Sequence, residues 1–260
     1  MALLLAPAAG VTARRAPLKR LHLLALSGAL VFLVLAFLPP IWTDAHRYEF
    51  VESVQFGLFA FAVPALVVVG RPWGRLGGGG GRGRLWRRLE ALEAGRRRHP
   101  DFWRSSVFAG VDVGFVVLWR TPTLMDGLAK HSWLVVPEAV SLVVAGIGLW
   151  LELVRCAPLS PRLNRPWGAV LAVGTMWATW ILAYAVGFAH VPWYRAFHHA
   201  GSFMSASMDQ EVATGVVWFA AACAFVPVFF ADLVNWLKGD DDPDAELRRL
   251  VRSARRSGRA

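Results

Sequence analysis

The sequence has 260 residues and a formal net charge of +10, and 56% of its residues are hydrophobic. In a soluble domain the apolar fraction lies nearer half. Here the excess is gathered in blocks of roughly 18–25 residues, the length that crosses a bilayer as a helix. These unbroken blocks exclude a coiled coil and a β-barrel. We therefore predict an all-α fold, a polytopic membrane helix bundle.

Six apolar blocks predict six transmembrane helices, at about 21–41, 50–70, 103–120, 133–154, 167–190 and 213–237. A basic tail (1–20) precedes the predicted bundle, which covers residues 21–237. A Gly/Arg-rich loop (71–101) connects the second and third helices, and a charged tail (238–260) follows the sixth.

Basic residues alternate between the predicted loops. Of 28 Lys and Arg residues, 24 lie in the two tails, in 71–104 and in 155–166. The remaining four are Arg47, Arg120, Lys130 and Arg195. Because cytoplasmic loops carry the excess of Lys and Arg, we predict a multi-pass protein of the cell membrane with both termini in the cytoplasm. This distribution also indicates that the basic residues contact the lipid bilayer rather than nucleic acid.

Aromatic residues lie near both predicted membrane surfaces, as in an aromatic belt. At the outer surface these are Trp42, Tyr48, Trp133, Trp193 and Tyr194. The belt needs no functional explanation.

Charged residues inside transmembrane helices are costly and usually face a partner or a polar site. Glu152 and Asp232 lie near the inner ends of their helices, so we expect them to reach the interface. Asp112 lies near the middle of the third helix. It either bonds to a neighbouring helix or belongs to a functional site inside the membrane.

Three further charged residues share one predicted depth, just inside the outer surface. Glu52 begins the second helix, Arg120 ends the third, and Glu138 begins the fourth. We expect the two carboxylates and the guanidinium to pair within the bundle, because pairing lowers the free-energy cost of burying each charge.

The last outer loop contains candidate metal ligands. They are His198, His199, Met204 and Met208. Imidazole and thioether groups together suit copper, although each of these residues also fits an ordinary interfacial position. No nucleophile elbow, Walker loop or His-Glu-x-x-His motif is present, so we do not expect an enzyme.

Four stretches, in order, resemble the cytochrome c oxidase assembly factor family of the CtaG type. They are LVLAFLPP with ESVQFGLFAFAVPALVVVG, LWRTPTLMDGLAKHSWL, VVPEAVSLVVAGIGLW and DQEVATGVVWF. They cover roughly residues 30–237. The positions that match the family pattern are Pro64, Gly70, Pro122, Asp126, Asp209 and Gln210.

The histidines of the family pattern are replaced in this chain. Their positions fall at Glu52, Phe56, Arg120, Val135 and Ala139. The chain also shows six predicted helices, whereas family members commonly have seven. If the family's histidines bind copper, this chain cannot do so with the same atoms. Glu and Arg side chains, however, can satisfy each other without a metal.

The resemblance implies a non-enzymatic accessory factor that assists the assembly or the copper supply of a respiratory oxidase at the outer membrane face. It implies copper as the cofactor, and oxidase subunits or other assembly factors as partners. On this reading the outer polar cluster comprises Glu52, Arg120, Glu138, Asp126, Asp209 and Gln210. Two alternatives stay open. One is a small ion- or proton-coupled transporter that uses Asp112 and the outer Glu/Arg cluster, and the other is a structural subunit that has lost metal handling.

Overall fold

The computed structural model describes residues 9–73, 91, 93–95, 102–155, 159, 161–189, 191–197 and 204–239. Most of the Gly/Arg-rich loop, much of both charged tails, and the candidate ligands His198 and His199 lie outside the described residues.

The described chain is built from α-helices. They are α1 (Ala9–Phe37), α2 (Ile41–Asp44), α3 (Glu49–Gly57), α4 (Val63–Gly70), α5 (Phe102–Trp119), α6 (Pro122–Lys130), α7 (Val135–Leu153), α8 (Arg165–Gly187) and α9 (Ala206–Gly239). A π-helical turn, Leu58–Ala62, joins α3 to α4, and short 3₁₀ turns lie at Ser132–Leu134 and Arg195–Phe197.

The predicted all-α bundle with six membrane-spanning helices is confirmed. Within the described ranges, six segments are long and apolar enough to cross a membrane: Arg20–Phe37, Glu49–Gly70, Phe102–Trp119, Ser132–Leu153, Arg165–Gly187 and Ala206–Leu237.

Several helix ends differ from the predicted ones. α1 begins at Ala9 rather than near residue 21, and α8 ends at Gly187 rather than near residue 190. α1 ends at Phe37 rather than near residue 41, because Pro39 and Pro40 follow and a proline ring is incompatible with a continuing helix. α9 begins at Ala206 rather than at 213. The polar residues 209–211, which read as loop, therefore lie in its first turns.

The bundle has two ends with different chemistry. We call the end that carries residues 38–48, 120–131 and 188–197 the Arg120 end. The opposite end carries Arg71, Arg155 and the first turn of α8. Helices α8 and α9 pack along each other, α9 also packs on α3, α1 on α4, and α5 on α7.

The π-helical turn lies where the sequence places a proline inside a long apolar segment. Pro64 follows the turn at the start of α4. A proline lacks the backbone donor, and its ring crowds the carbonyl four residues earlier, which here belongs to Ala60. A π-helical turn widens the helix locally, and we attribute it to this crowding.

Helix α7 packs tightly against this turn. A Cβ atom added to Gly146 would lie 2.7 Å from Cγ of Pro64 and 3.2 Å from the carbonyl oxygen of Ala60. Beside it, the ring of Trp150 stacks on Phe225 with a centroid separation of 5.6 Å. The absence of a side chain at residue 146 is therefore what allows this close approach.

We predict that Gly146→Ala lowers the free energy of unfolding by about 1–3 kcal/mol, because the added methyl group overpacks the contact with Pro64. The measurement is denaturant unfolding of the purified protein in detergent. Gly174→Ala is the matched control. Nothing lies within 4 Å of an added Cβ there, so this change is expected to be neutral or to stabilise by up to about 1 kcal/mol. Equal effects of the two substitutions would contradict the packing described here.

Candidate functional site

The site begins with the first turn of α3, which is capped by a residue from another helix. Both carboxylate oxygens of Asp209 accept backbone hydrogen bonds, from the N–H groups of Glu49 and Phe50, each at 2.9 Å. The first N–H groups of a helix lack partners within the helix, and a carboxylate there also interacts favourably with the helix dipole. Asp209 on α9 thus fixes the position of α3 and of its carboxylates.

The end of α5 is anchored on two sides. The indole N–H of Trp119 donates to Oγ of Ser141 on α7, at 2.8 Å. The hydroxyl of Tyr194 donates to the carbonyl oxygen of Arg120, at 2.9 Å. These two bonds hold the backbone of Arg120 between α7 and the 191–197 segment.

Tyr194 does not lie in an aromatic belt, and that part of the prediction is wrong. The side chain is only 1% exposed, because its hydroxyl satisfies a buried carbonyl of the helix end. Burial raises the pKa of Tyr194, so that the phenol keeps its proton and remains a donor.

The guanidinium of Arg120 forms the centre of the site. Its Nη1 atom lies 2.8 Å from Oε2 of Glu52 and donates to Oγ of Ser53 at 3.0 Å. Its Cζ atom lies 4.1 Å from the centre of the Phe56 ring. An ion pair and a cation–π contact therefore replace water around a side chain that is 5% exposed.

Glu138 completes this arrangement from α7. Its side chain is 1% exposed and lies close enough to Glu52 and Arg120 to interact electrostatically with both. The single guanidinium of Arg120 thus faces two buried acidic side chains. The structure thus brings Glu52, Arg120 and Glu138 together.

Some polar atoms of the site have no hydrogen-bond partner among the described residues. These atoms are Nε and Nη2 of Arg120, Oε1 of Glu138, and both carboxylate oxygens of Glu52, whose contact with Arg120 is the ion pair. Glu49, also buried, lines a small cavity together with Arg120 and Tyr194. The cavity has room for about one water molecule. The Glu49 side chain is 3% exposed, so the first turn of α3 adds a further buried acidic group to the predicted cluster.

Two other residues of the predicted cluster bind backbone groups instead of side chains. Oδ1 of Asp126 accepts the N–H of Ala196 at 2.9 Å. Gln210 accepts the N–H of Trp193 at 2.7 Å and donates to the carbonyl of Val186 at 2.8 Å. Asp126 and Gln210 therefore hold the end of α8 and residues 193–196 in place beside the site.

Asp112 lies apart from this cluster. It occupies the buried face of α5 with Ala109 and Val116, about 12 Å along the helix axis from Arg120 at 1.5 Å per residue. Its Oδ1 atom is buried and has no hydrogen-bond partner in the described part of the chain.

The site does not fit copper. The positions of the family's histidines hold a carboxylate, a phenyl ring, a guanidinium and two aliphatic side chains, whereas copper favours imidazole and sulfur ligands. Among the residues that the structure describes, no group of three or more His, Cys, Asp or Glu side chains could hold a metal ion. Of the predicted copper ligands, Met204 and Met208 are described, and Met208 is 53% exposed. The chemistry available at the cluster is ion pairing and hydrogen bonding.

We predict that Arg120→Ala lowers the free energy of unfolding by about 3–5 kcal/mol, because it leaves the buried Glu52 carboxylate without its counter-charge. Glu52→Gln removes that charge, so the double variant Arg120→Ala/Glu52→Gln should be more stable than Arg120→Ala alone. A double-mutant cycle of denaturant unfolding measures the coupling.

Lys130→Ala serves as the control, since Lys130 is an exposed cation at the same end of the bundle. Its effect should stay within about 0.5 kcal/mol. Simple additivity of the Arg120 and Glu52 substitutions would contradict the ion pair.

Comparison with known proteins agrees with the resemblance noted in the sequence. The model of the cytochrome c oxidase caa3 assembly factor family matches residues 5–239. No curated protein and no solved structure matches the chain significantly. Because the family model covers nearly the whole sequence, this chain belongs to the cytochrome c oxidase caa3 assembly factor family.

Proposed function

We propose that this protein is a non-catalytic accessory factor that assists the assembly of a caa3-type cytochrome c oxidase from the outer face of the cell membrane. Family membership supports the role in oxidase assembly. The concentration of Lys and Arg in the two tails and in alternate loops supports cytoplasmic termini, since basic residues accumulate on that side. The Arg120 end then faces outward, towards the side where we expect oxidase subunits or other assembly factors to bind.

One observation supports the proposal that the functional site lies at the Arg120 end. All five positions at which the family pattern has histidine are buried, and the residue at one of them, Arg120, contacts the residues at two others. Arg120 pairs with Glu52 at 2.8 Å and lies over the Phe56 ring at 4.1 Å. The chain therefore keeps a compact, buried site at these positions but replaces the imidazoles by groups that satisfy one another.

If the protein also supplies copper to the oxidase, the ion would have to bind to the candidate ligands His198, His199, Met204 and Met208. Met208 is exposed and directly precedes Asp209, which caps α3. Met208 lies in the first turn of α9 rather than in the outer loop as the sequence predicts, and His198 and His199 lie outside the described residues. The exposed thioether of Met208 favours this segment over the buried cluster as a carrier of copper.

A transporter is the less supported alternative. It requires Asp112 and the outer cluster to line one polar path, and about 12 Å of helix separates Asp112 from Arg120. The residues between them on the buried face of α5 include Val116, whose side chain offers no hydrogen bond to a passing ion.

The assembly role predicts a defect in cells that lack the protein. Deletion should remove most of the fully assembled caa3-type oxidase, as measured by the haem a absorbance of membranes and by cytochrome c oxidation. The wild-type gene and a Lys130→Ala variant should restore both signals, whereas Arg120→Ala should not. Normal oxidase content in the deletion strain would contradict the proposed function.

The copper route has a separate test, a titration of the purified protein with cuprous ion. We expect one ion per chain, lost in the variant His198→Ala/His199→Ala and retained in the control His131→Ala. If the wild-type protein binds no copper stoichiometrically, the copper route is excluded and the assembly role stands on the deletion experiment alone.

A further inference from the structure

At the end of the bundle opposite to Arg120, three arginines of residues 155–165 lie near two carboxylates, and a fourth, at the end of α4, binds the backbone of one of them. The arginines are Arg71, Arg155, Arg162 and Arg165, and the carboxylates are Glu152 and Asp232. A small cavity lies between them, lined by both carboxylates and by Arg155 and Arg165. We call these six residues the arginine cluster.

Arg71 reaches the cluster through an unusual backbone conformation. It ends α4 with φ 49° and ψ 60°, in the left-handed region, which costs a residue with a Cβ atom about 1–2 kcal/mol. Its guanidinium donates from Nη2 to the carbonyl oxygen of Arg155. This hydrogen bond ties the end of α4 to the connection between α7 and α8.

Glu152 does not reach the interface as the sequence predicts. It is 0% exposed, accepts a hydrogen bond from Oγ of Ser105 at 3.0 Å, and lies 3.7 Å from Nε of Arg162. The guanidinium of Arg162 also lies over the ring of Phe108, with its Cζ atom 5.6 Å from the centroid. Arg162 and Glu152 therefore form an internal pair.

The side chain of Asp232, which belongs to α9, lies against the start of α8. Its Oδ2 atom would lie 3.0 Å from a Cβ atom on Gly168, so it is in close contact with the first turn of that helix, where a negative charge is favourable. Arg165 and Arg155 are its neighbouring cations. The six described side chains of the cluster, four guanidinium groups and two carboxylates, carry two positive charges in excess, and Arg155 is exposed.

The apolar surroundings of the cluster place it at the membrane surface. On α8, Trp167 is 51% exposed and Val170 52% exposed. At the start of α5, Trp103 is 73% exposed. Exposed tryptophans of transmembrane helices lie at the level of the lipid headgroups. The exposed apolar residues Trp167 and Val170 thus adjoin the positively charged cluster and face the lipid.

We propose that the arginine cluster binds the phosphate group of an anionic phospholipid, whose acyl chains pack along the exposed apolar face at the start of α8. Guanidinium groups hold phosphate oxygens through paired hydrogen bonds, and basic pockets between transmembrane helices take anionic headgroups. The adjoining apolar face favours a lipid over free phosphate, which has no chains to bury. This inference does not depend on the proposed function.

The test is native mass spectrometry of the full-length, delipidated protein, titrated with phosphatidylglycerol, with phosphatidylcholine and, in competition, with inorganic phosphate. We expect tighter binding of phosphatidylglycerol than of phosphatidylcholine, and no displacement by inorganic phosphate. Arg71→Gln and Arg155→Gln should each weaken phosphatidylglycerol binding about fivefold, the effect of one basic residue near an anionic surface.

Arg47→Gln is the matched control, because Arg47 is an exposed arginine at the Arg120 end and its loss should leave binding unchanged. Equal binding of the two lipids, or equal weakening by the control, would overturn the site. Displacement by inorganic phosphate would overturn the assignment to a lipid. Should Arg71→Gln fail to fold, the exposed Arg155 still provides the test.

Discussion

The burial of one guanidinium constrains the whole Arg120 end of the bundle. A charge that is withdrawn from water is tolerated only with a counter-charge and well-placed neighbours. Arg120 has both, in Glu52 at 2.8 Å and in the Phe56 ring at 4.1 Å. Because these partners lie on α3, the end of α5 and the first turns of α3 cannot move independently. Tyr194 and Asp209 fix the two helices further, through the backbone of Arg120 and of Glu49.

The same arrangement explains how a member of this family can lack the family's histidines. At three neighbouring positions where the resembled pattern has histidine, this chain has a carboxylate, a phenyl ring and a guanidinium. Arg120 contacts both of the other groups, and the buried Glu138 on α7 lies near the Glu52 carboxylate. A single replacement would have left a buried charge unpaired. The geometry therefore favours a site that holds its helices together without a metal.

The sequence predicted the number of helices and the central pairing, and each for a physical reason. Helix number followed from the length needed to cross a bilayer. The meeting of Glu52, Arg120 and Glu138 followed from their common depth at alternate helix ends, since charges at that depth need partners. Neither argument requires knowledge of side-chain packing, which cannot be deduced from a hydropathy pattern.

What the sequence could not predict depends on packing or on loop geometry. Tyr194 read as an interfacial aromatic residue because nothing in the sequence says that its loop folds over Arg120. Asp209 read as part of a loop, since a polar run at the start of α9 resembles a connection. The π-helical turn has a visible signal in Pro64, but the response of the backbone to a proline depends on the helices that pack beside it.

The most direct test of this account is a high-resolution structure of the protein in lipid nanodiscs by electron cryomicroscopy. The account predicts the Arg120 guanidinium against the Glu52 carboxylate, near the 2.8 Å separation described here, with Phe56 beneath it and no metal density between Glu52 and Glu138. A metal ion bound to these carboxylates, or an Arg120 side chain that points into solvent, would contradict it.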